Sequence, residues 1–466
     1  MSEQAKFLEG SLFKHVSVMS LTASVGLMAI FLVDFVDMIF ISMLGKAELA
    51  AAVGYAGAIL FFTTSFGIGM SISAGALVAR ALGSGDEHEA KRKATHALIY
   101  GIVFGAIFAA LVWLNLGFFV TLLGATGDTH DLAVHYLQII VPTLPFLMVG
   151  MVGGAILRAH GDAKRAMFAT ISGGVVNAVL DPILIFGLDL ELTGAALASV
   201  AARLTIAAVS LQPILKFYGG FVRPEARDLM IDLRPVLAIA FPAILTQLAT
   251  PIGQAYVTRA MAEFGEAAVA GMAIVGRLTP LAFGTIFALS GAVGPIIGQN
   301  FGAGQHDRVR GGFFAGVIFT AAFVIAMTLL LFLLRAPIAD IFTATGITRE
   351  LVYLFCGPLA LMFFFNGLLF VANASFNNLG HPFYSTWLNW GRHTLGTIPF
   401  VILGAAWYGA PGVLIGQAIG GVLFGIAALV LAMRVMRKVE TGVVPAIEPA
   451  PFEREARRMR RAFWRR

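Results

Sequence analysis

Charge is what this sequence has least of. Only 12% of its 466 residues are charged, against about 25% in an ordinary soluble domain, which excludes a water-soluble globular fold for most of the chain. Cysteine is scarcer still: the single Cys356 lies in an apolar run, so neither a disulfide framework nor a cysteine metal site can be built. Phosphate-binding glycine loops and the local signatures of serine nucleophiles or zinc hydrolases are missing, and no cluster of polar catalytic residues stands at the edge of an apolar run. Those absences argue against an ATP-driven pump and against an enzyme, including a membrane-embedded transferase. A cleavable signal peptide is not evident either, because about fifteen mixed residues precede a first apolar run long enough to span.

What is present is hydrophobic length. Apolar residues make up 58% of the chain and the mean hydropathy is +0.86, and its 52 glycines and 18 prolines suit membrane helices better than soluble ones. Taking about 20 residues per crossing, twelve segments follow, near 16–42, 50–80, 95–122, 132–157, 166–187, 194–215, 235–261, 268–299, 311–334, 351–376, 383–404 and 412–433. The expected fold is an all-α polytopic membrane protein. Phe7, Leu8, Leu12, Phe13 and Val16 recur at helical spacing in the leader, which predicts a short interfacial helix before the first span.

Lysine and arginine fix the orientation. Of 32 such residues, only Lys46, Arg335 and Arg349 fall in one set of loops, and Arg203, Arg259, Arg277 and Arg392 fall within or at the edge of spans. The remaining 25 share the opposite side with both termini, which places the termini in the cytoplasm. The longest connection, KFYGGFVRPEARDLMIDLRP, divides the chain near its middle. Four parts follow: an N-terminal six-helix bundle over 1–215, a linker over 216–234, a C-terminal six-helix bundle over 235–434, and a basic tail over 435–466. The tail segment FEREARRMRRAFWRR reads as a contact with anionic lipid rather than with nucleic acid.

An internal repeat supports the division. LGKAELAAAVG from Leu44 aligns with FGEAAVAGMAI from Phe264, ARALGSGD from Ala79 with GQNFGAGQ from Gly298, and Gly161-Asp162 with Gly380-His381, at a shift of 219 or 220 residues. Each half holds six spans, so both enter the membrane from the same side. Two pseudo-symmetric bundles with a cleft between them suit alternating access around a central site.

Three acids fall well inside spans: Asp34, Asp37 and Asp181. A carboxylate there costs about 2.5 to 3.5 kcal/mol on insertion scales, so each is a functional candidate. The repeat places Gln254 opposite Asp34, Val257 opposite Asp37 and an apolar stretch near Phe400 opposite Asp181; the acids belong to one half. Asn177 and Asp181 share a helix face, and Pro182 deprives the carbonyl of Ala178 of its amide partner. Carboxylate, amide oxygen and free carbonyl are hard ligands that suit a small hard cation such as sodium, with Asp37, Asn177 and Asp181 as its ligands. Desolvated carboxylates of this kind also carry protons. A hydrogen-bonded pair at a proline kink would account for Asn177 and Asp181 without transport, and Asp34, nearer the start of its span, would serve as a wetted or structural neighbour.

FVDMIFISMLGKAELAAAVG, ARALGSGD, LRAHGDAKRAM, NAVLDPILIFG, TGAALASVAARL and IIGQNFGAGQHDR occur in this order over about residues 15 to 435. Together they resemble the multidrug and toxic compound extrusion (MATE) family. The resemblance implies a twelve-helix, two-bundle exporter of organic, cationic or amphipathic compounds in exchange for H+ or Na+. It needs no cofactor and works as a monomer in a bacterial-type inner membrane, with lipid and small organic substrates as its partners. Carried over by motif, the cation site comprises Asp37, Asn177, Asp181 and the hydroxyl of Ser199, with Asp34 and Arg203 as accessory residues. AILTQLATPIGQAY and LMFFFNGLLFVANASF hold no acid, so the chain is most similar to the DinF-like branch. Arg203 departs from the glutamine common in relatives and would pair with an acid or meet an anionic substrate group. The alternative within the same superfamily is a lipid-linked oligosaccharide flippase, whose pyrophosphate Arg203, Arg259, Arg277 and Arg392 would suit.

Overall fold

The structure, a computed structural model, describes residues 5–441; the segment FEREARRMRRAFWRR lies outside the described residues. In hydrocarbon every backbone amide needs an internal partner, and the described residues accordingly form helices and no strand. The first half contains α1 (Leu12–Met43), α2 (Ala47–Gly83), α3 (Glu87–Leu114), α4 (Leu116–Leu122), α5 (Gly127–Ile140), α6 (Leu144–Ala159), α7 (Ala163–Pro182) and α8 (Glu191–Phe217). The second contains α9 (Ala226–Ala262), α10 (Glu266–Gly302), α11 (His306–Ile341), α12 (Gly346–Leu354), α13 (Ala360–Asn378), α14 (Pro382–His393) and α15 (Ile398–Glu440).

Eleven helical stretches among the described residues are long and apolar enough to span, and the last, Pro382–Glu440, has 59 residues. At 1.5 Å per residue that is about 90 Å, far more than the roughly 30 Å of a hydrocarbon core. The stretch turns back on itself at Gly409, whose φ of 62° interrupts the helix. Gly404 then packs on Gly412, Phe400 on Gly416 and Gly396 on Gly420, an antiparallel hairpin that restores twelve crossings.

Backbone conformation repeats along with sequence. Gly45 and Gly265, Gly85 and Gly304, Gly127 and Gly346, and Gly161 and Gly380 all have positive φ, each pair at the 219 or 220 shift. Within the first bundle α1 packs on α7, α2 on α3 and α6, and α8 on α6 and α7; within the second α9 packs on α14, and α10 on α11 and α13. The bundles meet where α1 crosses α10 and α2 crosses α9 and α10.

This crossing is tight on the face where α1 begins and α15 ends, called here the terminal face. A Cβ at Gly83 would lie 2.6 Å from the carbonyl carbon of Gln299, and one at Gly302 would lie 2.9 Å from that of Arg80. Arg80 Nε donates to the carbonyl of Asn378 at 2.7 Å, while its repeat partner Gln299 donates from Nε2 to the carbonyl of Ala159 at 2.7 Å. All four positions obey the 219 shift, so the latch is itself two-fold. A second tether joins α3 to the start of α9, where buried Asp232 accepts from Lys93 Nζ at 2.6 Å and pairs with His96 Nδ1 at 2.7 Å.

Residues 5–10 do not form the expected interfacial helix. Gly10, with φ of 75°, ends any helical path before Ser11 caps α1, and the segment crosses the seam between bundles as a strap. Phe7 is buried; its amide donates to Gln299 Oε1 at 2.9 Å, and its carbonyl accepts from Asn300 Nδ2 at 3.1 Å and Arg308 Nη2 at 2.8 Å. Beyond the crossing α2 and α10 stand free, where a Cβ at Gly54, Gly57 or Gly276 would meet nothing within 4 Å.

Candidate functional site

Asp34 and Asp37 lie in the half of α1 away from the terminal face. Asp34 sits five turns after buried Val16 and two turns before buried Ile41 on one helix face, yet it is exposed. Ile30 and Met38, one turn to either side on that face, are exposed as well. The lipid-side residues Leu32, Phe35 and Ile39 point elsewhere.

One turn on, half-buried Asp37 meets Asp181, which is fully buried in the last turn of α7. The two side chains come within hydrogen-bonding reach of each other. Ionised carboxylates have only acceptors, and Asp37 Oδ1, both Asp181 oxygens and Asn177 Nδ2 have no hydrogen-bond partner among the described residues. Such a contact is satisfied by a shared proton or by a cation between the groups. The local backbone fits a site: Pro182 follows Asp181, and Ile183–Gly187 continues as a wide π-helical turn, an irregularity frequent where helices hold function.

Ser199 lies beside Tyr136, a residue the sequence reading did not select. Buried Tyr136 stands close to Ser199, Asp37, Asp181 and Arg203. The structure therefore brings together Asp37, Asn177, Asp181 and Ser199, adds Tyr136, and leaves Asp34 one turn away beside Asp37. Tyr136 stands between His135 and Gln138 near the start of its span, where nothing in the sequence sets one hydroxyl apart.

Arg203 does not pair with an acid. It lies one turn after Ser199 on α8 and donates from Nη1 to the carbonyl of Ile140 at 3.1 Å and to Thr143 Oγ1 at 3.0 Å. Ile140 and Thr143 flank the Val141–Thr143 turn, where Pro142 breaks the span between α5 and α6. Arg203 therefore ties α8 to the non-helical join between α5 and α6, sharing the Ile140 carbonyl with the Thr143 hydroxyl. No group of three or more His, Cys, Asp or Glu suited to a metal occurs among the described residues; the candidate donor set contains two carboxylates, an amide and hydroxyls, which fits a small hard monovalent cation.

The MatE family model matches residues 23–183 and 242–403, more than half of the chain. The two matched stretches begin 219 residues apart, the interval of the repeat. A Shewanella oneidensis protein named FAD transporter is 27% identical over 428 residues, covering 91% of this chain and 94% of its own. A Staphylococcus saprophyticus protein named multidrug export protein MepA is 26% identical over 310 residues, covering 65% of this chain and 67% of its own. Among solved structures, the Vibrio cholerae MATE transporter VcmN in the bent form superposes with a TM-score of 0.87 at 24% identity, covering 94% of this chain and 99% of its own.

Proposed function

Since the chain belongs to the MATE family of membrane transporters, we propose that it is a secondary active exporter that expels organic compounds in exchange for H+ or Na+ by alternating access. The observation that carries this reading is the proximity of Asp37 and Asp181, whose buried oxygens have no hydrogen-bond partner among the described residues. A coupling ion satisfies them, and its departure leaves two carboxylates that repel each other. That difference between loaded and empty states is what can bias a two-state transporter, because a ligand shifts an equilibrium only through unequal binding to its two forms.

Asn177 and Tyr136 would complete the ion's shell, Ser199 would hold Tyr136, and Arg203 would keep the α5–α6 break in register behind it. The reaction makes and breaks no covalent bond and uses no cofactor. The protein would act as a monomer in a bacterial inner membrane, and loop charge supports both termini being cytoplasmic; in that orientation the latched terminal face is the cytoplasmic one and the conformation is outward-facing. Substrates would be organic, cationic or amphipathic, and the relative named FAD transporter extends that range toward compounds carrying anionic groups.

The test uses purified full-length protein in liposomes loaded with a fluorescent organic cation. Under an imposed sodium or proton gradient, wild type is expected to drive efflux with one of the two ions. Asp37→Asn and Asp181→Asn are expected to abolish coupled efflux while the protein stays folded by size-exclusion profile and thermal midpoint. Efflux indifferent to both gradients would refute the coupling, and wild-type transport in either variant would remove that residue from the ion site.

A further inference from the structure

The second bundle lacks intramembrane acids, but it is not featureless within the membrane. Its fifth crossing is broken. Helix α14 begins at Pro382 on the terminal face, stops at His393, and resumes as α15 only at Ile398. Eleven residues of rise put the stop about 17 Å into the membrane, near the middle of a hydrocarbon core of roughly 30 Å. Non-helical backbone at that depth persists where protein buries it or where it lines a cavity, and half-helix ends at the midplane are where transporters hold charged groups.

The last turn of α14 carries Arg392. Its guanidinium donates to Asn366 Oδ1 at 2.5 Å and lies 2.9 Å from His393 Nε2. A guanidinium only donates, so Nε2 accepts and the imidazole keeps its proton on Nδ1. Both partners are neutral, and no carboxylate forms an ion pair with Arg392 among the described residues. The free carbonyls at the end of α14 offset only part of that charge, which stays uncompensated inside the membrane.

A polar path leads from this group toward the open side. Gly421 on α15 abuts Asn366, and one turn nearer the open side Gln417 bonds to the exposed Gln254 of α9 at 3.3 Å. Gly253, next to Gln254, lies directly against the His393 ring. The repeat interval of 219 residues sets the break at residues 394–397 against residues 175–178, which include Asn177. The first bundle thus presents paired carboxylates, and the second an arginine with amide partners, eight residues, or about 12 Å of helix, nearer the terminal face by the repeat, since Arg392 matches Gly173.

We propose that the second bundle holds the anionic group of the transported compound, a phosphate or a carboxylate, on Arg392 with Asn366 and Gln417, while the coupling ion occupies the first bundle. This rests on the export reading above and narrows its substrate class to amphipathic compounds that carry a negative group beside an apolar body. Arg392 serves both as donor and as counter-charge, and Gln254 and Gln417 stand at the entry.

The experiment compares riboflavin 5′-phosphate with riboflavin, which share one ring system and differ by the phosphate. Binding to the full-length protein in phosphatidylcholine nanodiscs is read by flavin fluorescence. A charge-assisted contact predicts roughly tenfold or greater preference for the phosphorylated probe. Arg392→Gln is expected to erase the preference while riboflavin affinity and thermal midpoint hold, and Arg392→Lys to retain part of it. Equal affinity of wild type for the two probes overturns the proposal whether or not the Arg392→Gln protein folds, as does a preference that survives in Arg392→Gln. Repeating the titration in phosphatidylglycerol nanodiscs separates sources: loss of the preference there identifies lipid phosphate as a competing occupant of the same site, and its persistence identifies the soluble compound. A wild type that exports a cationic dye but ignores the phosphate refutes this inference alone; one that selects the phosphate but shows no ion-coupled transport refutes the export reading alone.

Discussion

Placing a methyl group at the crossing of α2 and α10 tests whether two glycines hold the terminal face shut. A Cβ at Gly83 would lie 2.6 Å from the carbonyl carbon of Gln299, and one at Gly302 would lie 2.9 Å from that of Arg80. Carbon atoms in contact stand about 3.5–4.0 Å apart, so each alanine demands a backbone displacement of about 1 Å. The obstacle is helix backbone on both sides, which cannot rotate away. Overpacking of this kind costs about 1–3 kcal/mol, charged only against the conformation in which the helices cross, so the open-to-closed ratio of this face should rise about 5-fold to 150-fold. One displacement relieves both clashes, and Gly83→Ala with Gly302→Ala should therefore cost less than the sum of the two. The assay is a spin–spin distance between His88→Cys and Asp307→Cys, exposed positions at the ends of α3 and α11, in a Cys356→Ser background. Wild type should give one short distribution, and each alanine should add a longer one. Gly54→Ala, where a Cβ meets nothing within 4 Å, should change nothing. Unaltered distributions in both Gly83→Ala and Gly302→Ala, with folded protein, would refute the idea that this crossing is a gate.

Two further perturbations bear on the same face. Asp232→Asn leaves Lys93 and His96 facing a neutral amide in a buried cluster; breaking such a pair costs about 3–5 kcal/mol, expected as a lower thermal midpoint and as faster cleavage by protease in the segment joining the bundles. His160, just beyond the end of α6, is pushed down to about 4 by burial and by nearby Lys6. The unfolded chain takes up that proton below about pH 6.5 and the folded chain only near pH 4, so stability is full above 6.5 and falls by about 3 kcal/mol on acidification through that window. Thermal midpoints measured from pH 7 to 4 should fall less steeply for His160→Gln than for wild type; parallel curves would show that His160 is not the titrating group.

Much of the architecture was legible because membranes restrict it. Twelve apolar stretches could only be helices, and the repeat was visible because positive-φ glycines such as Gly85 and Gly304 tolerate little else at turns that both bundles share. Asp37, Asn177 and Asp181 stood out because charge in hydrocarbon is costly enough to be conspicuous. Tyr136 did not, since a tyrosine in a membrane span carries no comparable penalty. The break after His393 does carry signals, Gly396 within it and Pro399 in the first turn of α15, but both read equally well as the glycine and proline that membrane helices tolerate. Arg203 was legible as an anomaly but not in its role, because the Ile140 carbonyl and Thr143 hydroxyl become its partners only once α5, α6 and α8 are assembled. The leader failed for a simpler reason: its apolar spacing was helical, but Gly10 interrupts the path and Phe7 finds a better burial between the bundles.

The N-terminal strap has a consequence for how the protein is made. The Phe7 amide and its acceptor on Gln299 are separated by 292 residues, and at about 5–20 residues per second a ribosome needs roughly 15 to 60 s to travel from one to the other. The first segment to emerge is thus among the last to be seated. Until α10 has entered the bilayer Phe7 lacks Gln299 and Asn300, and until α13 has followed Arg80 lacks its carbonyl acceptors, so a half-synthesised transporter cannot seal this face. Strap docking is therefore a checkpoint of biogenesis: a chain truncated before α10 should leave its leader open to protease, and protection should appear only when both bundles are in place.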